Sequence, residues 1–454
     1  SFQTGRASAT ISGSDGAWSY SFNASRFQSH GISQANENNG NRETDGHDND
    51  SFIGHIGVQA LDSLSLEAVA RYRDSTLETD PQTFNLVTFL SDPPADGITR
   101  TDGIARQGRI TATADLFGGL AEAIVSAQYS DTDTIQRNQT FGTPTFLSDA
   151  KRTKFDAQTN VHLKDNHTIV AGAETEEEGI VTSTQTQTDV EIHAIYAQYL
   201  LSPRPNLDLS AGMRRDDHQS FGKQDTYRLT ASYLFERTGT RFKGSYGTGF
   251  KVPQLGELFG FFGNPNLQPE TSDGWDIGVV QDFWGDRARA EVVYFANDIA
   301  DLIAFTGGTL QNAGESEIVG VETSLSFAAT EDFNLTLSYT WTDAADKSTG
   351  RELVRRPRHV ASIDAAWRFS PRWNSTLSAT YTGEQDDLDF SKPAGTQQVT
   401  LEAFTKVDVT LSYQVTDRYE IYGRIENLLD EDYEEVVGYG VPDLGGFIGV
   451  RARF

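Results

Sequence analysis

The sequence predicts an all-β chain: a single large antiparallel transmembrane β-barrel, with about 21 strands visible in 454 residues. Three observations predict it. The first is alternation of period two. Tyr227, Leu229, Ala231, Tyr233 and Phe235 alternate with Arg228, Thr230 and Ser232. Val407, Val409, Leu411, Tyr413 and Val415 alternate with Asp408, Thr410, Ser412 and Gln414. Such strands have one apolar and one polar face. The second is length, since most of these segments run about 9 to 13 residues, enough to cross a bilayer when tilted. The third is a strict alternation of short and long connections. A membrane barrel has tight turns at one end and long loops at the other. A propeller or solenoid repeats strands without that two-ended asymmetry.

Taken in order, the short connections are GSDG (13–16), DS (62–63), GG (118–119), KDN (164–166), SPRP (202–205), ERTG (236–239), WGD (284–286), AATED (328–332), SPR (370–372) and TDR (416–418). Most are rich in residues that favour turns. Between them lie longer polar connections near 30–50, 76–102, 133–150, 178–189, 218–224, 251–270, 300–315, 344–358, 384–400 and 429–445. The last strand, with Ile448, Val450, Ala452 and Phe454 on one face, follows a long connection and so ends at the short-turn side. The first strand, GRASATISG, runs into a short turn and so starts at the long-loop side. Single-chain bacterial barrels have an even strand number. The expectation is therefore that one strand and whatever preceded it are absent from these residues. Pairing of the first strand with the last would exclude that.

Composition narrows the function. A net charge of −28 argues against nucleic-acid binding, because a phosphate backbone would be repelled. With no Cys there is no disulfide framework and no thiolate metal site. No apolar run approaches the length of a membrane helix, which leaves a barrel open because its strands are only half apolar. The eight His are scattered without ligand spacing, and no GxSxG, phosphate loop or dinucleotide fingerprint stands in context. The chain reads as a non-enzyme with no catalytic residues.

One stretch breaks the pattern. Residues 247–270, GTGFKVPQLGELFGFFGNPNLQPE, crowd Leu255, Leu258, Phe259, Phe261 and Phe262 into a connection, then turn through NPN and QPE. A loop of that apolar density is expected to fold back onto something. The stretch resembles the vitamin B12 (cobalamin) receptor branch of the TonB-dependent outer-membrane receptors, where a similar YGxxxKxPxLGxLxGFxGNPNLxPE run occurs. The closing residues, with Asn427, Leu428, Leu429, Asp430, Tyr433 and a terminal Phe454, resemble the end of that wider family. Weaker similarity extends over essentially the whole chain.

The resemblance implies a 22-stranded barrel in the outer membrane of a Gram-negative bacterium, here without its N-terminal plug domain and TonB-binding segment. It implies uptake of a bulky, scarce ligand, cobalamin or a related corrinoid, with TonB acting through the missing N-terminal region. Two other readings stay open: a ferric-siderophore receptor, and a plugless passive channel.

Candidate sites follow. Loop 30–50 contains ENNGNRETDGHDNDSF, with Asp45, Asp48 and Asp50. Acids at a spacing of two can converge on a hard cation such as calcium, which takes oxygen ligands. The resemblance implies a calcium that orders the ligand-binding loops, with Asp48 and Asp50 matching the family's acid pair, Asp80 an acid of the next loop, and Asp92 or Asp96 a looser match. Where the family pattern has a further aspartate and a tyrosine, this chain has Ser33 or Gln34, and Thr79. The plainer reading is a solvated outer loop beside anionic lipopolysaccharide. Arg355, Arg356 and Arg358 either grip an anionic ligand or lipopolysaccharide, or pair with carboxylates in a structural network. The run Glu176, Glu177, Glu178 reads as solvated. Trp18, Trp275, Trp284, Trp367 and Trp373 sit near strand ends and suit interfacial girdles. In loop 251–270, Leu258, Phe259, Phe261, Phe262 and Asn264 are the candidate ligand-mouth residues, against loop-on-loop packing as the plainer reading.

Overall fold

The computed structural model describes residues 3–80, 84–85, 90–91, 94–97, 99–138, 144–164, 166–183, 185–259, 263–285, 287–306, 309–391 and 397–453. Twenty-one long strands form a single antiparallel sheet in chain order. They are β1 (Gly5–Asp15), β2 (Trp18–Ser29), β3 (His47–Leu61), β4 (Leu64–Thr79), β5 (Thr99–Leu116), β6 (Ala121–Asn138) and β7 (Pro144–Lys164). β8 (His167–Thr182), β9 (Gln185–Arg204), β10 (Leu207–His218), β11 (Gly222–Phe235), β12 (Thr240–Lys251), β13 (Glu270–Phe283) and β14 (Ala288–Thr306) follow. The last are β15 (Thr309–Thr330), β16 (Phe333–Asp346), β17 (His359–Ser370), β18 (Trp373–Thr382), β19 (Phe404–Thr416), β20 (Tyr419–Glu426) and β21 (Gly445–Ala452).

Each strand pairs with its sequence neighbours, so the connectivity is an uninterrupted up-and-down meander. The tight turns are where the sequence places them. Asp15 pairs with Trp18 across two residues, one of which, Gly16, has φ 57°, a left-handed conformation that glycine adopts without strain. Among the described residues no ladder joins β1 to β21. The two ends of the sheet meet instead at the long-loop rim. There Asn36 donates to the Gly438 carbonyl (2.9 Å), Gly440 donates to that of Gln34 (3.0 Å), and Ala35 bridges to Tyr439. This contact joins the loop after β2 to the loop before β21.

Alternation sets the two faces. Along β6, Val125 and Tyr129 are exposed to the outside, while Ser126 and Gln128 face the lumen and bond its polar network. Burial therefore does not mark the apolar residues; lipid covers them. The Trp residues singled out from sequence all stand outward and exposed, and Trp284, Trp367 and Trp373 contact Phe327, Phe369 and Tyr413 in a belt at the short-turn end. Phe52, Tyr72, Tyr129, Tyr246, Trp275 and Tyr339 mark the other interface.

Two expectations change. Much of the sequence between 76 and 102, 133 and 150, and 178 and 189 is strand, because β4 to β9 continue their ladders beyond the lipid band. Above that band both faces meet water, so apolar alternation stops while backbone pairing goes on. The glutamate run is also not uniformly solvated. Glu177 is exposed, but Glu176 is buried against Arg152 (Nη2 to Oε2, 2.7 Å), and Glu174 holds Lys154 (2.8 Å) and Arg214 across the lumen wall.

Candidate functional site

At the long-loop end, the connection after β12 builds the mouth. Pro253 stops the ladder, and a short helix, Leu255–Phe259, follows. Its first turn is closed by the Gln254 carbonyl, which accepts from Glu257 (2.9 Å) and Leu258 (3.1 Å), and by Glu257 Oε2, which accepts from Gln254 N–H (2.7 Å). Lys251 lies 3.3 Å from Glu270 and 3.9 Å from Glu257, which clamps the two ends of the loop. Leu258 and Leu267 are buried. Helix residues Leu255, Leu258 and Phe259 then roof a cavity of about 500 Å³. Its far wall carries Arg152, Glu178, Val190, His218 and Phe221. An apolar roof over a floor of a few charged and polar groups is the usual make-up of a small-molecule site.

Of the candidate mouth residues, Leu258 and Phe259 thus line this cavity, with Leu258 buried and Phe259 half-exposed. Asn264 serves the loop instead: its Nδ2 donates to Leu310 (2.9 Å) and its Oδ1 accepts from Asn266. Gln268 and Asn312 exchange two hydrogen bonds at 2.8 Å, so this half of the connection packs on the neighbouring loop. Phe261 and Phe262 lie outside the described residues.

A second locus lies in loops 30–46 and 80–97. Gly31 has φ 66°, and a Cβ there would fall 2.0 Å from the Asp45 carbonyl, so glycine lets the two arms of the loop close. Asp80 is buried and fully engaged: Oδ2 accepts from Ser33 Oγ (3.0 Å) and Ala35 N–H (2.8 Å), and Oδ1 from Gly97 N–H (3.1 Å). Asp45 Oδ2 accepts from Gln34 N–H (2.6 Å). Oxygens of Glu43, Asp45 and Asp80 all lie within 4.8 Å of one another. Glu43 Oε1 and Asp45 Oδ1 are buried with no hydrogen-bond partner among the described residues. Burial first, and then repulsion from Asp45 and Asp80, pushes the Glu43 carboxyl up to about 7. Burial likewise raises Asp45 to about 6, against the bond from Gln34. Three converging carboxylates, two of them with an orphaned oxygen, fit a hard cation such as calcium, which takes oxygen donors.

The acid set differs from the one expected. Asp80 and Asp45 belong to it; Glu43, one position before Thr44-Asp45, is the member that sequence reasoning missed. Asp48 and Asp50 do not reach it. They sit on β3 with the same parity as the outward Phe52, and Asp50 faces Arg26 (3.7 Å) outside the barrel. Asp96 borders the cluster but accepts from Arg42 N–H (3.0 Å), and its own N–H donates to Asn41. Asp92 lies outside the described residues. A second acid group, Asp131, Asp133 and Asp149, is paired with cationic side chains, with Asp131 Oδ1 buried and without a hydrogen-bond partner among the described residues. Arg106 reaches Asp131 and Asp133 at 3.0 and 2.8 Å, and Lys151 reaches Asp149 at 3.1 Å.

Arg355 and Arg358 of the arginine cluster join a structural network, while Arg356 is exposed and donates to the Arg355 carbonyl. Arg355 Nε donates to Asp387 (2.8 Å), which is completely buried and also accepts from Val437 N–H (2.9 Å). Arg358 pairs with Glu352 and lies 3.6 Å from Asp343. Asn427, first residue of the NLLD motif, is buried too. It holds the last loop through Glu431, Pro442 and Asp408. Loops 30–46, 385–401 and 427–444 are thereby joined into one collar around part of the mouth.

The family model described as "TonB dependent receptor-like, beta-barrel" matches residues 1–428. Among solved structures, the siderophore receptor PirA from Acinetobacter baumannii is similar at 16% identity with a TM-score of 0.85, over 99% of this chain and 78% of that one. The ferric enterobactin receptor PfeA mutant R480A from Pseudomonas aeruginosa, in complex with enterobactin, is similar at 15% identity and TM-score 0.80, over 99% and 78%. The ferripyoverdine receptor of the Pseudomonas aeruginosa outer membrane, bound to ferripyoverdine, is similar at 13% identity and TM-score 0.80, over 100% and 70%. At these identities the likeness concerns the fold.

Proposed function

The chain belongs to the TonB-dependent receptor β-barrel family, and we propose that it takes up a bulky metal chelate of the ferric-siderophore class. As a member it is an outer-membrane receptor barrel of a Gram-negative bacterium, and its family and structural neighbours are transport receptors rather than enzymes. One observation carries the ligand reading. The outer mouth holds a roofed cavity of about 500 Å³, on a barrel whose solved neighbours are siderophore receptors. Capture there would precede release into the lumen driven by TonB.

A second reading, cobalamin, is favoured by the resemblance of residues 247–270 to the cobalamin-receptor branch. The acid cluster goes with it. In that reading Glu43, Asp45 and Asp80 hold a calcium ion, which cancels their mutual repulsion and ties loop 30–46 to loop 80–97 over the mouth.

Titration of the purified barrel in detergent separates the readings, with intrinsic fluorescence as readout. The probes are ferric enterobactin, ferripyoverdine, a ferric trihydroxamate and cyanocobalamin, each with calcium and with chelator. Saturable binding of a ferric siderophore is expected. Calcium-dependent binding of cyanocobalamin alone would replace it with the second reading. No binding of any probe, together with a large voltage-insensitive conductance in planar bilayers, would make the chain a passive channel.

A further inference from the structure

The charge of the chain is concentrated at one end. Nearly all of the net −28 is carried by the long connections and the strand ends that lead into them, while the short-turn half is close to neutral. Residues 174–191, 297–317 and 427–444 hold six, four and six acids and not one Lys or Arg, and residues 30–50 hold five acids against Arg42 alone. These segments form the long-loop ends of β8 and β9, β14 and β15, β20 and β21, and β2 and β3. The imbalance belongs to the outer loops and the strand ends beneath them, so it does not depend on what the lumen holds.

The mouth cavity sits inside this acidic rim, and the cations on its wall are already held. Arg152 donates to Glu176 (2.7 Å) and lies 3.5 Å from Glu178, and Lys151 reaches Asp149 at 3.1 Å. Glu178 and Asp189 line the same cavity. His218 adds no charge, because its Nδ1 accepts from the Ser220 and Phe221 amides (3.1 and 3.3 Å) and so carries no proton. Beside the roof, Lys251 is shared between Glu270 and Glu257. A ligand entering here meets carboxylates in excess, and each lining cation would have to leave a carboxylate to bind it.

We propose that the metal chelate taken by this mouth is neutral or positively charged, of the trihydroxamate kind, and that the outer loops turn away polyanionic tris-catecholate chelates. The proposal rests on the siderophore-class reading of the cavity and narrows it. Three hydroxamates lose one proton each and cancel the charge of ferric iron, and a free amine on the chelator makes the complex a cation. Three catecholates lose two protons each and leave a triply negative complex. An acidic rim focuses a field that raises the local concentration of a cationic solute and speeds its capture, and salt removes the gain. The same rim sets like charges against a polyanion, which is discrimination by repulsion.

The test is stopped-flow and equilibrium fluorescence of the 454-residue barrel in detergent. The probes are ferrioxamine B, a trihydroxamate chelate with a free ammonium group, neutral ferrichrome, and ferric enterobactin. One or both hydroxamate chelates are expected to bind saturably, and ferric enterobactin at least tenfold more weakly. The association rate of ferrioxamine B is expected to fall about tenfold between about 10 and about 150 mM salt. Glu178→Gln should weaken ferrioxamine B severalfold, whereas Asp62→Asn, which removes the same charge from a short turn, should leave it unchanged. Ferric enterobactin bound as tightly as the hydroxamate chelates, a rate indifferent to salt, or equal loss in the two variants overturns the inference and leaves the siderophore reading standing. Binding of none of the three chelates overturns that reading and the inference with it. Should Glu178→Gln fail to assemble, the salt dependence and the ranking of chelates on the unaltered protein decide.

Discussion

Glu43 and Asp387 are both mouth carboxylates, and the structure treats them oppositely. Glu43 has an orphaned buried oxygen and no counter-charge, so its proton is held up to about 7. A carboxyl whose folded pKa is raised favours the ordered loop below its ordinary pKa, and that contribution is lost as pH rises through the folded value. Without metal, loop 30–46 is therefore expected to be better ordered at pH 5 than at pH 8, as read by amide exchange in the presence of chelator. Calcium competes with that proton, so its affinity should rise with pH over the same interval. Glu43→Gln and Asp80→Asn should each weaken calcium binding at least tenfold by calorimetry, while Asp50→Asn, on the outward face, should leave it unchanged. Asp387, by contrast, is saturated by Arg355 and by the amides of Leu388 and Val437. Asp387→Ala leaves buried donors unpaired, a cost of about 1–3 kcal/mol. It should speed exchange at Leu388 and Val437 without unfolding the barrel.

The helix at Leu255–Phe259 and the lipid-facing strands make contrasting demands. The helix is too short to be stable alone, and its place comes from Leu258 packing beneath it and from the clamp of Lys251 on Glu270 and Glu257. Phe259→Ala removes a half-exposed ring from the roof. It is expected to weaken ligand capture severalfold while the heat-modifiable shift of the barrel on gels stays normal; unchanged affinity would make the roof scaffolding. For the strands the environment is lipid, not protein. Val125 is 56% exposed, between the short-turn end of β6 and the interfacial Tyr129. Val125→Arg should cost about 2–4 kcal/mol in folding titrations into liposomes. Thr336→Arg, on the lumen face of β16 opposite Asp364, should cost little. Equal penalties would mean that the two faces are misassigned.

For the molecule as a whole, the order of strands was legible because it depends only on local pattern. Val407, Val409 and Leu411 must share a face in any strand, and turns such as GSDG and SPR can hardly be anything else. That determined the meander, its two-ended character and the placing of the Trp belts. Strand length beyond the lipid band was not legible, since β6 and β7 keep pairing where neither face is apolar. The acid cluster was half visible: Asp45 and Asp80 were found by spacing and resemblance. Asp48 and Asp50 were excluded, and Glu43 included, by where β3 begins, because the first strand residue fixes which acids turn outward. The lumen arginines and the Arg355–Asp387 link were invisible for a related reason. Their surroundings are set by contacts between residues 30 or more apart in sequence: strand register puts Arg71 opposite Gln107, and loop contact puts Arg355 against Asp387. By itself the sequence determined which face of each strand meets lipid, because side-chain parity is a local property of the chain. Only the tertiary structure decided which charges meet one another across the lumen and over the mouth, because that depends on register and on how far the sheet curls before its loops touch.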